Sequence, residues 1–544
     1  MKNGINKIIF SIVLLFSADI LSAQAGNGSS SVLIYTLMAV AVLVFFFLLV
    51  QVSDNLLAIE AKQTGANKTG ANFGIFPKLS EIFSAPIPGY TGDLPVHNLK
   101  QGHDILLEGE ATGAVEDVQG KTFAVQPPNF RGLSPIPKLE VEVGSEVKAG
   151  DVLLYDKKNP AVKYVAPVSG EVIAINRGAK RAITEVVILA DKEQSYRSFD
   201  AIDLENTTRE DLVNFLLDSG AWPLITQRPF SVVADHNVVP TNIFISTFDT
   251  APLAPDQNVV VDGQGAAFQK GLDVLNKLTD GTVYLGLDAN REEAPSSVFT
   301  NAEGVESQYF RGKHPSGNVG VQIHHTAPIG NNDKVWTLGV QDVLTLGRLF
   351  LDGRYDVTRV IAVTGAELKA PKYVRTKLGA NINDLVDGNL GDDNLRFVSG
   401  DVLSGQQKSA DGFLNAQDDQ LTVLQEGDYY EMFGWLIPVD PRPSISNTFP
   451  NFLFPDLKFR ANTNTHGEER AFVVTGQYEK VLPMDIYPQH LMKAILVNDF
   501  ERMEGLGILE LSEEDIALCE FVCTSKQPLQ SILRQGLDVM REQG

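Results

Sequence analysis

The sequence predicts an α+β multidomain protein preceded by a transmembrane helix, and three observations predict it. Short strand-like runs between glycine turns fill 94–205 and 356–431. Strand-like runs alternate with amphipathic helix patterns over 206–355. Val32 to Val50 is nineteen residues without a charge. At about 1.5 Å per residue it would span roughly 28 Å, close to the hydrocarbon thickness of a bilayer.

The chain has 544 residues, 44% hydrophobic and 21% charged, a globular composition long enough for several domains. Its formal net charge of -23 repels phosphate backbones, so nucleic acid is not an expected partner. Two cysteines, Cys519 and Cys523, are too few for the four thiolates of an ordinary iron–sulfur cluster. The body therefore folds on its hydrophobic cores.

Residues 1–25 read as a signal-like segment. Lys2 and Lys7 precede an apolar run from Ile8 to Leu21, and Ala23-Gln24-Ala25 supplies small residues for a cut. The alternative is an uncleaved first transmembrane helix, against which Asp19 counts. Residues 31–52 follow as the transmembrane helix, because nothing nearby can bury Phe45, Phe46 and Phe47 on all sides. Lys62, Lys68 and Lys78 come after it, and positive residues stay on the cytoplasmic side. Both routes place the large C-terminal part in the cytoplasm at the inner membrane. Residues 53–93 read as a linker, with the near-repeat Thr64-Gly65-Ala66-Asn67-Lys68-Thr69-Gly70-Ala71-Asn72 and short interfacial candidates at Phe73 to Phe76 and Ile82-Phe83.

Residues 94–205 carry Val141-x-Val143-Gly144 and Val147-x-Ala149-Gly150-Asp151-Val152, then Ala166-Pro167-Val168-Ser169-Gly170. Alternating valines facing one small core between tight turns resemble the barrel-sandwich of biotinyl and lipoyl carriers. Counted back from Ala166, the tip that bears the modified lysine in carriers is Asn159 here, followed by Pro160 and flanked by Lys157 and Lys158. This reads as a relative without attached biotin or lipoate.

Residues 206–355 predict a Rossmann-like α/β domain. Asn242 to Thr247 and Thr282 to Gly286 read as strands, and Ala266 to Leu278 and Gln341 to Leu351 as helices. No Gly-x-Gly-x-x-Gly follows a strand, so the pyrophosphate cradle of NAD or FAD is not visible. Residues 356–431 predict a β-grasp (SLBB-like) domain, and 432–544 a mainly helical C-terminal region. There a helix starts near Gln489, and Ser512 caps a helix that opens on Glu513-Glu514-Asp515.

A set of short motifs carries a resemblance. They are Asn176-Arg177-Gly178-Ala179-Lys180-Arg181, Arg228-Pro229-Phe230-Ser231, Asp249-Thr250-x-Pro252-Leu253, His314-Pro315-x-Gly317, Val335-Trp336, Gly339-x-Gln341-Asp342-Val343, Val402-Leu403-Ser404-Gly405, Gly434-Trp435 and Glu468-Glu469-Arg470-Ala471. From about Leu94 onward the chain resembles the A subunit of the sodium-translocating NADH:quinone oxidoreductase (Na+-NQR). A looser likeness reaches the C subunit of the Rnf electron-transport complex, whose cysteine-rich iron–sulfur motifs are missing here. The resemblance implies a peripheral cytoplasmic component of a six-subunit complex, with the membrane subunits B and C as particular partners. That complex oxidises NADH, reduces quinone to quinol and exports Na+, with flavins and Fe-S centres on other subunits. It also implies a place in the later, semiquinone-to-quinol part, and leaves open whether this chain touches quinone. The isolated chain is not expected to be catalytic or to hold a tightly bound cofactor. The first 93 residues depart from the family pattern and imply a direct membrane tether. The alternatives are a freestanding membrane-anchored ligand-binding protein of β-grasp type, or an accessory subunit of an Rnf-like complex.

No catalytic residue, cofactor-binding residue or metal site is assigned from the sequence, but four features invite chemistry. His324 and His325 follow Val321-Gln322-Ile323, ten residues after His314; read as a strand, the adjacent pair points to opposite faces. Arg177, Lys180 and Arg181 form a basic knot suited to an acidic partner, unless neighbours such as Glu185 balance it. Cys519 and Cys523 fall on one helical face, as buried inert thiols or as a redox pair. Residues 433–438, Phe-Gly-Trp-Leu-Ile-Pro, read as a core strand or as a contact for a lipid or quinone tail.

Overall fold

The structure, a computed structural model, describes residues 30–63, 86–200, 202–391, 394–431, 441–445, 450–472 and 474–543. It divides into two units, Met1–Ile87 and Pro88–Gly544. The signal-like segment, the near-repeat, the interfacial candidates and the 433–438 segment lie outside the described residues.

The first unit contains one helix, Ser30–Gln63, of 34 residues. It runs past Val52 into the stretch expected to be linker. Leu56 to Gln63 are good helix formers, and the first glycine comes only at Gly65. Leu37, Met38, Leu43, Phe45, Phe46 and Leu56 are all exposed along it. Among the described residues no helix is long and apolar enough to cross a membrane. In this helix the described side chains run unbroken only over 37–50.

The second unit is organised around a seven-stranded sheet. Its order is Val96–Asn98, Glu306–Arg311, Thr282–Asp288, Asn242–Ser246, Val335–Thr337, Thr226–Arg228, Val232–Val233. The first five strands are parallel and the last two antiparallel. The helices Gly265–Leu278 and Val340–Asp352 bury Phe268, Leu272, Leu275 and Leu278 with Val343, Leu346 and Leu349 in its core. They approach closely because Gly271 and Gly347 carry no side chain; a Cβ there would collide with Val343 O and Ala267 O.

The barrel-sandwich consists of a four-stranded and a three-stranded sheet within 122–190. The β-grasp unit pairs the hairpin Thr358–Thr364 and Lys372–Lys377 with three later strands and the short helix Ile382–Val386. The two do not keep separate cores. Phe123, Val172 and Ile188 pack in one cluster with Ile361, Val374 and Leu421. Within the 94–205 stretch, Val96–Asn98 extends the α/β sheet, and Thr112–Asp117 pairs in parallel with Lys372–Lys377 of the grasp sheet. The alternating-valine expectation fails at Val143, which is 61% exposed. Gly144 turns the chain beside it at φ +92, and the local strand shrinks to Glu146–Val147.

The helix Val340–Asp352 also joins the α/β unit to the grasp sheet. Gln341 Nε2 donates to Val360 O and Gln341 Oε1 accepts from Val360 N, both at 2.8 Å, as a strand partner would. Arg359 pairs with Asp342 at 2.5 Å, and both are largely buried. Asp419 stands in the same field. Burial pushes its carboxyl up to about 7 against the pull of Arg359. The folded state therefore holds a proton that the unfolded chain, at about 3.9, has released. This contribution is fully present below about pH 4 and is lost as the pH rises through about 7. Thermal unfolding midpoints taken from pH 4 to 8 should fall less steeply across that window in Asp419→Asn than in the parent chain.

Candidate functional site

The motifs quoted above converge where the α/β sheet meets the C-terminal helices. Arg228 ends its strand and is 3% exposed. Its Nη1 donates to Asp515 Oδ2 at 2.8 Å. Its Nη2 donates to Ser512 Oγ at 2.8 Å and to Glu514 Oε1 at 2.6 Å. Asp515 is fully buried, and Ser512, the N-cap of the helix Glu513–Val522, donates to Asp515 Oδ2 from both its backbone N and its Oγ at 2.9 Å. The acidic first turn thus serves as an anchor as well as a complement to the helix dipole. Its third carboxylate, Glu513, pairs with Arg131 at 2.5 Å and faces Arg534 at 3.6 Å. Gly320, on the helix Val319–Thr326, leaves the space this cluster fills, since a Cβ there would overlap Asp515 and the Arg228 guanidinium.

The neighbouring loops carry unusual backbone. Phe230 (φ 85), Ser231 (φ 50) and Leu253 (φ 61) are non-glycine residues in the left-handed region. Phe230 and Leu253 pack against the core of the helical region, and Arg534 Nη1 donates to Phe230 O at 2.9 Å. Val402 and Leu403 pack there too, and Gln530 Nε2 holds Leu403 O at 2.9 Å. Arg470 N bonds Ser525 O at 2.7 Å, strapping the turn between the last two helices. Motifs from four stretches of sequence therefore form one seat for 478–543.

The histidines do not converge on a common ligand. His314 is buried; its Nδ1 lies 3.2 Å from Thr250 Oγ1, and burial lowers its pKa. His324 and His325 lie on the last turn of the helix Val319–Thr326, not on a strand. The β-branched run before them looked strand-like, but Asn318 starts a helix that covers Phe244 and Val335 with Ile323. His324 Nδ1 meets Glu510 Oε2 at 2.6 Å, and its Nε2 accepts from Asp485 N at 3.1 Å. His325 Nε2 donates to Pro483 O at 2.6 Å, and burial holds the ring down at about 4, hence neutral. Both rings dock the helical region. No cluster able to hold a metal occurs among the described residues.

Cys519 and Cys523 are both buried and free. Cys523 is the C-cap, with ψ 110, so it leaves the helix instead of continuing its face. Tyr478 lies between them: its hydroxyl is 2.9 Å from Cys523 Sγ, and its carbonyl accepts from Cys519 Sγ at 3.8 Å. Burial pushes the Cys519 thiol far above its ordinary value, the opposite of what a reactive thiolate needs. Arg177, Lys180 and Arg181 occupy the exposed tip of the hairpin Gly170–Arg177 and Ile183–Ala190. Glu185 does not balance them; it accepts from Asn176 at 2.9 Å. Asn159 at the carrier-like tip is tied to His236 at 3.1 Å and bonds Asp156 through its backbone.

The parallel strands reverse their order at Asn242–Ser246, where folds of this kind bind nucleotides beyond the carboxyl ends. Here the grasp sheet abuts the loop after that strand. Gln420 Nε2 donates to Pro252 O at 3.1 Å, and Tyr373 Oη accepts from Asp256 N at 3.0 Å. The Arg228 cluster was not legible as a site, because its partners lie 284 to 287 residues apart in sequence. The signal available was a lone arginine ending a strand-like run and an acidic helix start in search of a counter-charge. Replacing Arg228 by Met leaves Asp515 buried without a counter-charge, which costs about 3–5 kcal/mol. Arg228→Met should lower the thermal unfolding midpoint of the purified chain by several degrees, and Gly320→Ala should do so with no change of charge.

Comparison with known proteins agrees across most of the second unit. The family profile described as NqrA N-terminal barrel-sandwich hybrid domain matches 97–191, NqrA second alpha/beta domain matches 207–355, and NQRA C-terminal domain matches 360–410. The A subunit of the Na(+)-translocating NADH-quinone reductase of Alcanivorax borkumensis is 40% identical over 451 residues, 82% of this chain and 99% of the relative. Those of Saccharophagus degradans and Psychromonas ingrahamii are 39% and 37% identical over 450 residues, again 82% of this chain and 99% of the relative. A solved NAD+-reducing NiFe hydrogenase in the air-oxidized state aligns at 12% identity and a TM-score of 0.32, covering 64% of this chain and 72% of that one, which carries no argument. The shared motifs, the matched domains and the identity over nearly the whole length of these relatives establish that the chain belongs to the NqrA family, the A subunits of Na(+)-translocating NADH-quinone reductases.

Proposed function

We propose that this chain works by assembly, as the component of a sodium-pumping NADH:quinone oxidoreductase that offers surfaces to redox-active neighbours. The observation that carries this reading is that the α/β unit turns its nucleotide end and its buried charge toward other parts of its own chain. The place where such a fold would take a nucleotide abuts the grasp sheet, and the buried charge of Arg228 goes into seating the chain's own C-terminal helices. Flavins and Fe-S centres then belong to other subunits, and the isolated chain does not catalyse the overall reaction. Membrane subunits B and C are the expected neighbours, and the chain takes part in the semiquinone-to-quinol stage, including any contact with quinone.

The helix Ser30–Gln63 supports a tether to the inner membrane, with the Pro88–Gly544 unit on the cytoplasmic side. It is apolar on every side over 37–50, and lipid is the solvent that such a surface fits. The exposed Arg177, Lys180 and Arg181 tip supports docking to an acidic surface. Among the described residues these three cations form no ion pair, in a chain of net charge -23.

Gentle detergent extraction and affinity capture of the tagged chain should recover several membrane proteins and NADH:quinone activity. Removing residues 1–63 should move the remaining chain toward the soluble fraction unless those partners hold it. Recovery of the chain alone, together with full NADH:quinone activity after its deletion, would defeat the proposal.

A further inference from the structure

A groove of about 720 Å³ lies between the α/β unit and the grasp sheet, away from the seat of the C-terminal helices. That volume is in the range of small-molecule sites. Val115, Val259 and Val360 provide apolar wall, and Arg348 and Arg375 provide positive charge.

Arg348 is the distinctive member. It rises from the helix Val340–Asp352 and is largely buried. Its Nη1 donates to Gln264 Oε1 at 3.0 Å, and its Nη2 to Thr358 O at 2.9 Å and Thr345 Oγ1 at 3.3 Å. Every one of those acceptors is neutral, and Nε has no acceptor at all. The other buried arginines of this unit differ. Arg228 faces two carboxylates, and Arg359 faces Asp342. The carboxylate closest to serving Arg348 is Asp356, but Lys377 takes it at 2.5 Å, with Thr358 Oγ1 at 2.6 Å. Burial lowers the Arg348 pKa to about 10 against the pull of Asp356 and Asp352, so the group stays cationic at neutral pH with no carboxylate bonded to it. Arg375, nearer solvent, shares its charge with the exposed Asp117 at 3.0 Å.

A buried cation held by neutral dipoles keeps its field, and a groove with low-dielectric walls concentrates that field on whatever enters. We propose that this groove binds a small organic anion, a carboxylate or phosphate on an apolar body, with Arg348 as its counter-charge. The neutral acceptors fix the guanidinium in place, so little side-chain freedom is lost on binding. The exposed Asp262 on the groove lining favours a ligand whose charge sits toward the Arg348 end.

The test uses the full detergent-solubilised chain and phenyl phosphate as probe, with benzyl alcohol as the uncharged control, in a calorimetric titration. Phenyl phosphate should bind one to one, and benzyl alcohol should not bind measurably. Arg348→Gln should weaken phenyl phosphate at least tenfold. Ala114→Trp, which fills the groove from an exposed strand position, should abolish binding with an unchanged circular dichroism spectrum. No one-to-one binding by the parent chain at millimolar probe overturns the proposal. So does equal binding by the parent chain and Ala114→Trp, or by the parent chain and a folded Arg348→Gln.

Discussion

The charged contact between Arg228 and the first turn of the helix Glu513–Val522 decides how the second unit holds together. Three carboxylates in a row would repel one another and weaken a free helix start beyond what the dipole returns. Here Glu514 and Asp515 share Arg228, and Glu513 meets Arg131 and Arg534. Because Arg228 and Asp515 are almost free of solvent, neither tolerates separation. The missing side chain at Gly320 leaves room for that contact, and the left-handed turns at Phe230 and Leu253 and the docking of His324 and His325 add contacts to the same helical region.

A second junction repeats the logic with a different mix of forces. Gln341 satisfies both backbone groups of Val360, and Asp342 neutralises Arg359, so the helix after Val335–Thr337 specifies where the grasp sheet sits. Both residues belong to one short motif. Motifs that look like chemistry in a sequence here prove to be joinery between domains. The reactive candidates, by contrast, are quiet: Cys519 is buried with a raised pKa, and His325 is neutral and fixed to a carbonyl.

The parts of the fold carried by periodicity were legible. The helices at Gly265–Leu278 and Val340–Asp352 begin within one residue of where apolar spacing places them, and Ser512 caps the helix expected of it. The grasp hairpin was readable from its β-branched runs. What sequence order hid was long-range. Nothing local shows that Val96–Asn98 and Thr112–Asp117 are edge strands for partners some 200 and 260 residues away. His324 and His325 were misread because a run of β-branched residues carries strand propensity, which helix packing over Phe244 overrode. The site was least legible of all, since its charges come from positions 284 to 287 residues apart.

Those two borrowed strands bear on how the polypeptide can be divided. Each lies at the outer margin of its sheet, Val96–Asn98 beside Glu306–Arg311 and Thr112–Asp117 beside Lys372–Lys377. A fragment beginning after them would keep its helices and most of its core, yet present bare amide and carbonyl rows on two separate sheets. Such rows recruit strands from other molecules. The early residues thus act as hems for pieces made much later in translation: the first selvedge waits for Glu306–Arg311 and the second for Lys372–Lys377.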